Sequence, residues 1–107
     1  MIVPEVTNRA LQEEISRANR PTLIDVREAD ELEISVLPHV THIPLAELPS
    51  RLGELDSSGD YVIVCRTGGR SARATAYMLQ NGFTRVRNLV GGMNGWAAEI
   101  DPSMHQY

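Results

Sequence analysis

A chain of 107 residues with 42% hydrophobic and 22% charged side chains has the composition of one soluble globular domain, spanning residues 1–107. A net charge of −4 argues against general nucleic-acid binding. No apolar run is long enough for a membrane helix, and the opening MIVPEVTNRA reads as no secretory leader, so a cytoplasmic chain is expected.

Thr7 is a good helix N-cap, and Leu11, Ile15 and Ala18 follow it at helical spacing until Asn19 to Pro21 ends the pattern. Thr22 to Val26 (TLIDV) is short, apolar and rich in β-formers, which predicts a buried strand. Residues 27–34 (READELEI) suit one acidic helix, and Pro38 should keep residues 37–40 extended. Thr41 to Ile43 reads as a short strand stopped by Pro44, after which Leu45, Leu48, Leu52 and Leu55 share one helical face.

DSSGD at 56–60 is a turn signal, and Tyr61 to Val64 is apolar throughout, as a central parallel strand would be. A helix is predicted over 71–81, with Gly82 as its left-handed C-terminal residue and Phe83 folding back on it. Val86 to Leu89 is a last strand, and Gly91-Gly92 turns into a final helix through Trp96, itself a core residue. Strands alternating with helices predict an α/β domain, a small and mostly parallel sheet covered on both faces. Ligands of such sheets bind at the carboxyl ends of the strands. Cys65, Asp25-Val26-Arg27 and Gly91-Gly92 all fall there and could converge.

Cys65 is the only cysteine, so it closes no internal disulfide. With three scattered histidines, His39, His42 and His105, it makes no metal-ligand spacing, and neither metal nor cofactor is expected. Residues 1–60 carry twelve acidic and five basic side chains, whereas 61–107 carry two and five; between Cys65 and Arg87 there are five arginines and no acid. The cysteine therefore opens the positive part of the chain. A thiol reacts as thiolate, which cations and helix N-termini stabilise. Arg66 and Arg70 supply charge, Gly68 and Gly69 permit positive φ so that backbone amides turn inward as an anion nest, and Thr67 and Ser71 add hydroxyls. Such a cradle would hold a thiolate or a persulfide. Cys65 to Arg70 is C-x4-R, one residue shorter than the loop of C-x5-R phosphatases, and no general acid stands on it, which favours sulfur over phosphoryl chemistry. A cysteine-dependent phosphatase or arsenate reductase, and a non-catalytic binding module, are the alternatives.

Three blocks, Leu23 to Glu28, Val64 to Ala72 and Asn88 to Met93 through Trp96, resemble the rhodanese-like sulfurtransferase family in order and spacing. The resemblance implies a small parallel sheet flanked by helices, a six-residue loop from Cys65 to Arg70, and Cys65 as a nucleophile alternating between thiolate and persulfide. It implies a thiosulfate-like or persulfide donor and cyanide, a thiol or a sulfur-carrier protein as acceptor. Arg66 and Arg70 would bind an anionic donor while amides of residues 66–70 hold the sulfane sulfur. Asp25 and Arg27 match the family's strand-end pair, whose arginine helps order the pocket; an Asp turn with a surface ion pair is the alternative. Gly91-Gly92 is read as a close-packing turn, and His39 and His42 as packing or surface residues. Residues 35–40 (SVLPHV) depart from the glycine-containing stretch of many members, and the backbone there should differ. The tail Asp101 to Tyr107 resembles the end of the rhodanese domain fused to adenylyltransferases that activate sulfur carriers; a free-standing or excised domain is expected.

Overall fold

The computed structural model describes residues 2–107. Its strands are β1 (Glu5–Val6), β2 (Thr22–Asp25), β3 (Thr41–His42), β4 (Asp60–Val64) and β5 (Arg85–Leu89). Its helices are α1 (Asn8–Glu14), α2 (Ala29–Leu32), α3 (Leu48–Arg51), α4 (Gly69–Gln80) and α5 (Gly92–Glu99), with 3-10 turns at Leu45–Glu47 and Leu52–Glu54. All five strands form one sheet in the order β1-β5-β4-β2-β3, and every pairing is parallel.

The period of two along β4 divides the core. Tyr61, Ile63 and Cys65 face one side, where they meet Ile24, Val26, Leu48, Ala74, Met78 and Phe83 under α3 and α4. Val62 and Val64 face the other, against Leu11, Leu89, Met93 and Trp96 under α1 and α5. Burying each such side chain contributes about 2 kcal/mol, so β4, apolar on both faces, is the strand the fold can least do without. Cys65 follows directly on Val64, just past the carboxyl end of this central strand.

Local signals worked where they were chemical. The Thr7 hydroxyl accepts from the Ala10 amide, and Phe83 N–H closes on the Met78 carbonyl behind Gly82, whose φ is +92°. Periodicity misled elsewhere. The expected helix over 27–34 is a single turn, because no α2 residue is buried and Arg27 is drawn into the core, where it bonds the carbonyls of Glu31 and Ser35. The expected leucine helix after Pro44 is broken into α3 and its two 3-10 turns. Pro49, at the start of α3, cannot donate the hydrogen bond a longer helix would need, although Leu48 is buried and Leu45, Leu52 and Leu55 pack beside it. Residues 37–40 are not uniformly extended, for His39 has φ +61° in a turn. The edge strand β1 was not foreseen; two residues are too few to show alternation.

Candidate active site

Beyond β4 the chain must leave the sheet, and the N-terminus of α5 holds its first two residues. The Cys65 carbonyl accepts from Met93 N–H at 2.9 Å and the Arg66 carbonyl from Asn94 N–H at 3.0 Å. This contact needs glycine at 92. The residue has φ +56°, and a Cβ there would lie 2.4 Å from the Cys65 carbonyl oxygen and 2.6 Å from the Arg66 carbonyl carbon and oxygen. Gly91-Gly92 is thus a close-packing turn set directly against the cysteine loop.

The sulfur sits inside the loop. Gly68 N–H donates to Cys65 Sγ at 3.1 Å, and Ser71 Oγ lies 3.1 Å from it. Gly68, at φ +112°, turns its amide inward as the nest requires. Gly69 does not share that role: its φ is not positive, a Cβ there would meet open space, and it is the first residue of α4, which begins two residues earlier than read from the sequence. Burial pushes the Cys65 thiol up, but hydrogen bonds from the Ser71 hydroxyl and the amides of Ser71, Gly68 and Thr67 outweigh it, so its pKa falls below the ordinary value.

Ser71 is itself tied to Asn88, whose Oδ1 accepts from the Ser71 hydroxyl while its Nδ2 donates to the Gly68 carbonyl at 3.2 Å. The Gly68 contact fixes which way the amide points. One hydroxyl proton therefore serves two acceptors. With Cys65 as a thiol, S–H can point to Ser71 Oγ and the hydroxyl to Asn88; with a thiolate, the proton is drawn to sulfur. Asn88 is a member of the site that only its block in the family resemblance touched.

The rim of the loop is built from charges. Arg70 grips Glu31 with both terminal nitrogens, at 2.7 and 2.8 Å, and this holds the Glu31 carboxyl down to about 2. Glu31 also accepts from the Tyr107 hydroxyl at 2.7 Å. The Arg66 guanidinium stands over the Tyr107 ring, 4.9 Å from its centroid, and Asn94 pairs reciprocally with the Tyr107 backbone. Asp25 and Arg27 form a fully buried pair at 2.8 Å rather than a surface one. All five guanidinium donors of Arg27 are used, on Asp25, the Glu31 and Ser35 carbonyls and the Tyr107 hydroxyl. Arg27 thus orders the segment that carries Glu31. His42 Nε2–H donates to the Arg27 carbonyl at 2.7 Å, and Thr67 is exposed on the loop. Among the described residues no three His, Cys, Asp or Glu side chains come together to hold a metal ion.

Glu31 and Tyr107 escaped sequence reasoning. Glu31 was one acid among several in READELEI, and Tyr107 belonged to a tail noted only for its likeness to another domain's end.

The family model for the rhodanese-like domain matches residues 7–99. The chain belongs to the rhodanese-like family. It is 34% identical over 96 residues to a sulfurtransferase of Allochromatium vinosum, covering 90% of each. It is 30% identical over 118 aligned positions to the adenylyltransferase and sulfurtransferase MOCS3 of Arabidopsis thaliana, covering 95% of this chain but 25% of that protein. Among solved structures, the human single-domain sulfurtransferase TSTD1 superposes with a TM-score of 0.83 at 25% identity, over 92% of this chain and 98% of that one. The rhodanese-like assignment accounts for the parallel sheet and for the position of the cysteine loop at its carboxyl edge.

Proposed function

We propose that the protein is a sulfurtransferase that carries a sulfane sulfur as a persulfide on Cys65. The observation that carries the reading is the sulfur's surroundings: an amide, a hydroxyl and a helix N-terminus around a buried thiol whose pKa they lower. In the first half-reaction the Cys65 thiolate attacks the outer sulfur of the donor, the donor's S–S bond breaks, and the leaving group departs with the electron pair. The amides that held the thiolate then hold the persulfide anion, which carries the same charge one atom further out. In the second half-reaction a nucleophile, cyanide, a thiol or a sulfur-carrier protein, takes the outer sulfur and returns Cys65 to thiolate. The same hydrogen bonds that lower the Cys65 pKa favour the thiolate, so the site needs no separate general base to raise its reactivity.

The likeness to MOCS3 supports a carrier-type acceptor, and an unpaired thiol suits a reducing cytoplasm. The test is thiocyanate release when the protein is given cyanide and either thiosulfate or glutathione persulfide. Wild type should turn over with at least one donor and Cys65→Ser with neither; full activity in Cys65→Ser would overturn the reading.

A further inference from the structure

The two arginines of the cysteine loop are held differently, Arg66 only over the face of the Tyr107 ring and Arg70 by a carboxylate. Arg70 is committed to Glu31 through two short bonds, with the carboxylate only 17% and the arginine 28% exposed. Glu31 is fixed in turn by the Tyr107 hydroxyl, which burial keeps protonated and able to donate. Tyr107 is anchored from three sides, by Arg27 on its hydroxyl, by Asn94 on its backbone and by Arg66 over its ring. The clamp is therefore preorganised, and a ligand that needs Arg70 must displace a bidentate carboxylate.

Resting on the sulfur-transfer reading, we infer that Glu31, positioned by Tyr107, is a specificity-determining residue that withholds Arg70 from dianionic donors, so that the donor is a persulfide of a thiol rather than thiosulfate. Charge decides between the two donors. With Cys65 as thiolate, Arg66 and Arg70 are balanced by Cys65 and Glu31, and the rim has no surplus positive charge. Thiosulfate brings two negative charges onto this neutral site: Cys65 thiolate and thiosulfate give Cys65 persulfide anion and sulfite, with three negative charges in the pocket throughout. Arg66 alone is left to meet the sulfonate. A persulfide protonated at its outer sulfur and uncharged in R, R–S–SH, reacts with one negative charge in the pocket: the thiolate takes the outer sulfur, the S–S bond breaks, and the proton passes to the leaving R–S⁻, which departs as R–SH and leaves the Cys65 persulfide anion. The second reaction needs no further cation.

The experiment loads Cys65 in single turnovers from thiosulfate or from the persulfide of 2-mercaptoethanol, whose R group is uncharged, and follows the gain of one sulfur atom by quenched intact-mass measurement. In wild type the second-order rate constant should be lower for thiosulfate by about tenfold or more. Glu31→Gln frees Arg70, and the thiosulfate-to-persulfide ratio should rise about tenfold, mainly through tighter thiosulfate binding. Glu31→Asp, too short to grip both nitrogens, should move the ratio the same way and decides the matter should Glu31→Gln not fold. A ratio unchanged in the folded variants, or a wild type that loads equally fast from both donors, overturns the clamp while leaving sulfur transfer standing. Loading from neither donor removes the sulfur-transfer reading and the clamp with it.

Discussion

Replacing Gly92 by alanine tests whether the α5 N-terminus holds the cysteine loop. The added Cβ would fall 2.4 Å from the Cys65 carbonyl oxygen, about one ångström inside ordinary contact, and the atoms it meets are backbone. Neither partner is a flexible side-chain end, so β4 and α5 must separate. The left-handed conformation at φ +56° costs a non-glycine residue about 1–2 kcal/mol. Separation also lengthens the bonds from Met93 and Asn94 to the Cys65 and Arg66 carbonyls, at about 1 kcal/mol each. A loss of about 3–4 kcal/mol is a large part of a small domain's stability and should lower the melting temperature by about 15–25 °C. Gly69→Ala is the control, since its Cβ meets open space at an ordinary φ, and it should melt close to wild type. Scanning calorimetry of the three proteins reads the result directly. If Gly92→Ala melts within about 3 °C of wild type, the contact is not what positions the loop.

Two further perturbations probe the sulfur and the rim. Ser71→Ala removes the hydroxyl that lowers the Cys65 pKa, so the alkylation-rate profile with iodoacetamide should shift to higher pH; an unshifted profile would assign the lowered pKa to the loop amides alone. Glu31 has its carboxyl depressed in the folded state from 4.5 to about 2, so its contribution to stability is present above 4.5 and lost as the pH falls toward 2. Discounted for partial exposure, that contribution is about 1–2 kcal/mol, and the melting-temperature gap between wild type and Glu31→Gln should be full at neutral pH and close on acidification. A gap independent of pH would contradict the ion pair.

The fold was legible where chemistry is local and periodic. TLIDV and YVIV could only be buried strands, and glycine at 82 followed by a phenylalanine marked a helix end, because these signals depend on a few adjacent residues. READELEI was misread because helical periodicity cannot register that one of its residues, Arg27, leaves for the core to join Asp25. The leucines after Pro44 faced inward as expected, but Pro49 removed the hydrogen bond that would have made their segment one helix. At the site, Cys65, Gly68 and Ser71 lie together within one short stretch, whereas Glu31 and Tyr107 are 76 positions apart and meet only through the fold. Gly68 and Gly69 looked equivalent in sequence, and only φ distinguishes the amide-turning residue from the helix start.

The central claim is that Cys65 carries the transferred sulfur, and intact mass tests it most directly. Wild type and Cys65→Ser are each treated with glutathione persulfide, desalted, weighed, then exposed to cyanide and weighed again. The account predicts that wild type gains the mass of one sulfur atom and loses it to cyanide as thiocyanate, while Cys65→Ser gains nothing. A wild type that takes up no sulfur, or a Cys65→Ser variant that takes up as much, would contradict it.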